Sequence, residues 1–246
     1  MAFYDYAQGK KRVLDILNSK TDIEETETIP KSEEEFTYEN GIRSWVGSLF
    51  VDIRDSSDYF KENNADKVAR VMRAFTSEII TILSNNEYYR QIGIRGDCVY
   101  AIFTASKQAH LRAIVQDAAM INTFQNMFNK LLEKNGFETF SIGIGLGCGK
   151  DLIVKAGKKG SGINDLIWIG NAVVNASNLS NIGNKNGVNP IVMDSLFYSN
   201  IKHLNANSEE TYGDLFKEKY SLELKTTVYH GNVVYTPFDD WVEENM

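Results

Sequence analysis

An α+β fold, with helices packed on a mainly antiparallel sheet, is what the sequence predicts, and three observations predict it. Short β-prone runs alternate with stretches of helical periodicity; their order is strand, helix, strand pair, helix, strand; and one late run carries glycine at every second position. That order is ferredoxin-like, with the helices expected on one face. A chain of 246 residues that is 43% hydrophobic can bury one sizeable core, so a single principal domain is expected.

Residues 1–40 read as an N-terminal extension, and residues 41–246 as the main domain. The extension holds a predicted helix from about Tyr4 to Asn18, then an acidic stretch with Glu24, Glu25, Glu27, Glu33, Glu34 and Glu35, interrupted by Pro30. Trp45 to Ile53 is a β-prone run ending in a carboxylate, Asp52. From Asp66 to Leu83, Val68, Val71, Met72, Phe75, Ile79 and Leu83 recur at helical spacing. Two strands follow, Tyr88 to Ile94 and Cys98 to Phe103, joined by Arg95-Gly96-Asp97. A long helix is predicted from Lys107 to Glu133, with Ile114, Ala118, Ile121, Phe124 and Phe128 on one face. Phe137 to Cys148 reads as a central strand whose glycines, Gly143 to Gly149, leave one face bare. Leu166 to Ile169 leads into a helix at Asn171 to Asn181, and a hairpin of Tyr220 to Leu224 and Thr227 to Tyr235 closes the pattern.

Composition excludes several classes. A net charge of −7 is wrong for a general nucleic-acid binder, which needs a basic surface to meet phosphates. Lys155, Lys158 and Lys159 form a short basic cluster of the kind usually found on solvated surface. Cys98 and Cys148 are too few for a disulfide framework, and both sit in apolar runs that suit burial. No apolar run spans a membrane and no secretion signal opens the chain, so a cytoplasmic protein with no membrane partner is expected.

Asp52 and Asp97 carry the chemistry. The first ends a strand and the second sits at the turn of the next hairpin, so a βαββ arrangement can bring both to one sheet edge. Two clustered carboxylates repel unless cations lie between them, and Mg²⁺ or Mn²⁺ prefers oxygen ligands. Such a pair suits phosphoryl transfer. Taken singly, Asp52 also suits a helix cap and Asp97 a hairpin turn.

Four ordered segments resemble class III adenylate and guanylate cyclases. Phe50-Val51-Asp52-Ile53-Arg54-Asp55-Ser56-Ser57 resembles the family's first metal motif, and Arg95-Gly96-Asp97-Cys98-Val99-Tyr100 its second. Ser141-Ile142-Gly143-Ile144-Gly145 resembles its later core strand. The run from Trp168 to Leu179 resembles the strand-to-helix segment that bears its transition-state residues. The resemblance implies a cyclase catalytic core in a homodimer with two composite sites. It also implies two divalent cations per site, Mn²⁺ or Mg²⁺, held by Asp52, Asp97 and the backbone carbonyl of Ile53. Arg54, Ser56 and Ser57 would lie at the triphosphate, although Asp55-Ser56-Ser57 departs from the family's Gly-Phe-Thr. The family's asparagine and arginine, four residues apart, fall on Val174 and Asn178, with Asn175 one step off; Asn175 and Asn178 are the candidate catalytic amides, and no cation remains there.

The base-reading positions of the family fall on Gly93 and Ile167, neither of which can hydrogen-bond a purine edge through its side chain. Arg95, together with Tyr38-Glu39-Asn40-Gly41-Ile42 ahead of the first motif, is similar to the pyrimidine cyclases of the Pycsar anti-phage systems. That resemblance implies UTP as substrate and cyclic UMP as product, with CTP second. It further implies a second messenger read by a separate effector protein. A cyclase-like nucleotide sensor that makes nothing is the competing class, favoured by the missing arginine and opposed by the two retained aspartates. A diguanylate-type cyclase lacks its Gly-Gly-Asp/Glu-Glu-Phe signature here, and a Rossmann reading lacks its strand-turn-helix context.

Overall fold

The computed structural model describes residues 3–246, so Met1 and Ala2 of the predicted extension lie outside the described residues. The chain opens with α1 (Tyr6–Leu17), whose N-terminus is capped where the Asp5 side chain accepts from the Gln8 N–H at 3.0 Å. It continues through β1 (Asp22–Glu25), a 3-10 turn, β2 (Asn40–Ile53), α2 (Ser56–Glu62), α3 (Ala65–Ser84), β3 (Tyr89–Arg95) and β4 (Cys98–Thr104). Then come α4 (Gln108–Lys134), β5 (Ile142–Gly157), β6 (Asn164–Ile169), α5 (Asn171–Ile182), β7 (Ile191–Met193) and α6 (Ser195–Ile201). The short α7 (Tyr212–Leu215), β8 (Lys217–Ser221), β9 (Thr226–Gly231) and α8 (Thr236–Asn245) complete it. Among the described residues, no helix is long and apolar enough to cross a membrane.

One sheet runs in the order β3-β4-β2-β5-β7-β9-β8, with β1 beside β2 and β6 beside β5. Its pairs are antiparallel except β1 with β2 and β5 with β7. Side chains alternate across β2 and β5 and so build two cores. Leu49, Val51, Ile53, Ile142, Ile144 and Leu146 meet Phe75 of α3 and Ile114, Ile121 and Phe124 of α4 on one face. Val46, Phe50 and Ile153 meet Ala172 and Ala176 of α5 on the other.

This second covered face differs from the expectation of helices on one side only, and the glycine row explains it. An added Cβ at Gly143, Gly145 or Gly147 would run into the backbone of Ser180, Ala176 or Ala172 respectively. Steps of two along a strand and of four along a helix are nearly equal in length, about 6.6 and 6 Å, so the bare face receives the α5 backbone directly.

The structure also extends or moves several predicted elements. The acidic stretch contributes β1, whose backbone pairs with Asn40–Arg43, and Ile29 and Phe36 of the same stretch are buried in the α5-side core. The first main strand begins at Asn40 rather than Trp45, and β5 runs on to Gly157 to pair with β6. The last strand stops at Gly231, because Val233 turns to the α4 core and Pro237 starts a helix.

Candidate active site

Two groups of polar residues flank α5. The first is a carboxylate corner on the β2–β4 side. The β2–β4 ladder ends at Val51–Val99 and the β3–β4 ladder at Arg95–Cys98, so Asp52, Ile53 and Asp97 come to the same end of the sheet. Gly96 makes the tight turn possible with φ 66°. Burial raises the Asp52 pKa, Arg54 lowers it, and the nearby charge of Asp97 raises it again. Desolvation pushes the neighbouring Cys98 thiol up to about 12, with both aspartates adding to the rise, which leaves the carboxylates the better donors for a hard cation. What remains is an all-oxygen donor set, two carboxylates and a main-chain carbonyl, which fits a hard divalent cation. Among the described residues, no group of three or more His, Cys, Asp or Glu side chains converges.

Arg54 is the residue whose predicted place is corrected. Its N–H is bonded to Ser141 O at 2.8 Å, and its side chain, only 5% exposed, turns inward. There the guanidinium donates to the Asp52 carboxylate, to Asp52 O at 3.3 Å and to Asn181 O at 2.5 Å at the end of α5. It neutralises the corner from within rather than facing a triphosphate. The turn responsible is Asp55, whose backbone is left-handed (φ 52°) and which delivers Ser56 and Ser57 to the start of α2.

The second group lines a cavity of about 680 Å³ on the β7–β9 side of α5. The cavity exists because β5 pairs with β7 at Ile144–Leu146 and with β6 from Leu152 onward, leaving the edge between them unpaired by a strand. Asn171, Asn175 and Asn178 all line it, as their helical spacing predicts, while Val174 is 56% exposed and does not. Asn175 Nδ2 donates to Asp194 Oδ2 at 3.0 Å, which fixes the amide with its oxygen free. Asp194 also caps α6 by accepting from Phe197 N at 2.7 Å. Asp151 lies against Gly170 and caps α5 from below, accepting from Ala172 N at 3.1 Å. Both aspartates have pKa values raised by burial and pulled back by these N–H donors.

The positions predicted to read the base lie near a third polar patch. A Cβ on Gly93 would press on the Tyr100 phenol, 2.5 Å from its Cζ, so the ring that stacks on Phe50 takes the place of a longer side chain. Ile167 is 44% exposed on β6, and Arg95 is exposed at the end of β3. Between β3 and β6, Gln91 donates to Asp165 at 3.1 Å and accepts from the Trp168 indole at 2.5 Å. Sequence reasoning missed Gln91, Asp151 and Asp194. Asp194 carried a signal, an aspartate after an apolar triplet and before Ser-Leu-Phe, but only as a helix cap.

The fold and both flanks invite comparison with known proteins. The profile of the adenylate and guanylate cyclase catalytic domain matches residues 41–220. The chain belongs to this family. Over 243 residues it is 42% identical to a uridylate cyclase of Treponema porcinum, covering 99% of this chain and 82% of that protein. A uridylate cyclase of Gulbenkiania mobilis is 32% identical over 252 residues, covering 98% and 97%. Among solved structures, the adenylyl cyclase CyaB of P. aeruginosa superposes with a TM-score of 0.64 at 18% identity, over 78% of this chain and 95% of that one. A class III adenylyl cyclase-like ATP-binding protein from Pseudomonas aeruginosa gives 0.68 at 18% identity, over 94% and 48%. At such low identity these structures establish the shared fold. The chain is thus a nucleotidyl cyclase with the carboxylate pair of Asp52 and Asp97 at one sheet end.

Proposed function

We propose that this cyclase converts UTP to 3′,5′-cyclic UMP and pyrophosphate. The observation that carries the chemistry is that Asp52 and Asp97 come to the same end of the sheet, near enough for the charge of one to act on the other. The choice of base rests on the two uridylate cyclase relatives, which align with nearly the whole chain, and CTP is the runner-up. In the reaction the ribose 3′-oxygen bonds to the α-phosphorus, the bond from that phosphorus to the β-phosphate bridging oxygen breaks, and the hydroxyl proton passes to water.

Asp52, Asp97 and the Ile53 carbonyl would hold two divalent cations, Mg²⁺ or Mn²⁺, which when bound neutralise phosphate charge and acidify the attacking hydroxyl. Arg54 holds the Asp52 carboxylate in place. Ser56 and Ser57 offer hydroxyls and N–H groups to the terminal phosphates. Asn175, locked by Asp194, and Asn178 orient the ribose and α-phosphate. Arg95 donates to the carbonyl oxygens of the pyrimidine, where Gly93 and Ile167 offer no side-chain hydrogen bond to a base. The two flanks of α5 face different directions in one chain, which supports a C2 homodimer whose sites each take the carboxylates from one protomer and the asparagines from its partner. The product would serve as a cytoplasmic second messenger in anti-phage defence, read by a separate effector.

Purified protein incubated with each of the four ribonucleoside triphosphates and Mn²⁺, with products identified by mass, tests this. Cyclic UMP as the main product is expected. Tight UTP binding without any cyclic product would instead mark a sensor.

A further inference from the structure

We propose that Arg43 is the cation that the asparagine helix lacks, and that it binds the α-phosphate as the ring closes. This rests on the cyclase reading above and assigns one more residue to that site.

The charge balance of the cavity singles it out. Four charged residues line the cavity: Arg43, Lys150, Asp151 and Asp194. Both aspartates are taken up by helix caps and by the Asn175 amide. Lys150 is tied to Glu25 at 2.6 Å. Arg43 stands directly across from Glu25 in the β1–β2 ladder, yet that carboxylate goes to Lys150. Among the described residues, Arg43 has no ion-pair partner within 4.0 Å. With both carboxylates fixed and Lys150 paired, Arg43 is the cation in the cavity wall left to meet charge that develops on a phosphate.

Placement agrees with charge. Arg43 pairs with Leu152 on β5, and Leu152 pairs with Ile169 on β6, so the three share one row and one face of the sheet. The next row on that face is Gly41, Val154 and Ile167. Arg43 therefore stands one row from the base position at Ile167, on the sheet face opposite α5, and meets Asn175 and Asn178 at the open edge of β5, where all three line the same cavity. Its backbone is held in ladders on both sides, by Glu25 of β1 and Leu152 of β5, so the long side chain swings from a fixed point. A guanidinium offers paired N–H donors matched to two phosphoryl oxygens and stays protonated throughout, taking no proton from the 3′-hydroxyl.

The test is steady-state cyclisation of UTP with Mn²⁺ by the full-length protein and by Arg43→Ala and Arg43→Lys, together with mixing experiments. Loss of a cation that acts on developing charge should cut kcat by about 100-fold or more in Arg43→Ala while KM changes by no more than about threefold. Arg43→Lys should recover part of the rate, since a lysine keeps the charge and loses the fork. Mixing Arg43→Ala with Asp52→Ala protomers, each inactive alone, should restore about a quarter of native activity, because half the dimers are mixed and each has one intact site. That rescue also shows that the Arg43→Ala chain folds. Native rates in Arg43→Ala, or an inactive Arg43→Ala that Asp52→Ala cannot rescue, would overturn the assignment while leaving the cyclase reading intact. Failure of the native protein to make any cyclic nucleotide would strike the cyclase reading itself, before Arg43 is touched.

Discussion

On the β4 side of α5, few polar groups lie close together and neutralise one another: Asp52, Asp97 and an inward-facing Arg54. On the β7 side, amides and capped carboxylates spread around an open cavity whose wall holds Arg43, a cation without an ion-pair partner among the described residues. The first arrangement suits ions, whose binding needs concentrated charge. The second suits a sugar and a phosphate, which need oriented donors over a wider area. One helix separates the two, so a single chain carries two half-sites that look away from each other.

The largest effect should come from the ion half. Asp97→Ala and Asp52→Ala should each lower cyclic product by about 10³-fold or more. Their stabilities should differ, since Asp52 is the partner of a buried guanidinium and Asp97 is not. Stripping a buried charge of its partner costs about 3 kcal/mol, so urea melts should show a clear loss for Asp52→Ala and little for Asp97→Ala. Equal stabilities would mean that Arg54 finds its compensation elsewhere.

Gly145→Val should disturb both halves together, because any side chain there meets the Ala176 carbonyl and lifts α5 from the sheet. A loss of about 3 kcal/mol in chemical denaturation is expected, with activity falling in step.

A third effect, of similar size, separates pH dependence of the fold from that of either half. Burial pushes the Asp117 carboxyl up to about 7, against a 2.6 Å hydrogen bond from Asn86 that lowers it. The folded chain therefore holds this proton more tightly than the unfolded chain. Its contribution is complete below about pH 4 and is lost as pH rises toward 7, by on the order of 2–4 kcal/mol. Melting curves of Asp117→Asn across that window should be flatter than those of the native protein. A parallel slope would place the pH sensitivity in the raised carboxyls of Asp52, Asp151 and Asp194 instead.

The smallest change should follow Arg95→Ala, a shift of about tenfold in the UTP-to-CTP preference, read from competing substrates. An unchanged ratio would move base reading to the Gln91–Asp165–Trp168 patch.

How much of this was legible in the sequence follows the physics of each element. Asp52 and Asp97 end hydrophobic strands, and the apolar stripes of α3 and α4 declare their faces, so the corner and the first core could be read directly. Asn171, Asn175 and Asn178 share a helical face that spacing alone reveals. β1 gave no such signal: all four of its residues are exposed, and it is held by main-chain pairing that any side chain permits. β7 is three residues long, too short for a period to show. The glycine row marked a bare face, but not which partner would press on it. Arg54 was misplaced because residue type does not reveal direction; the left-handed turn at Asp55 sends the chain outward while the guanidinium goes in.

That inward guanidinium has a consequence for the life of the molecule outside catalysis. A protein that relied on dissolved ions to quiet its acidic corner would loosen whenever they were withdrawn, and would be exposed to proteolysis between bouts of activity. Here the quieting charge is covalently part of the backbone that bears the acid. Chelators should therefore silence the chemistry and lower the melting temperature only by what the ions' own binding contributed, so the enzyme can stand idle and folded until ions and nucleotide arrive together.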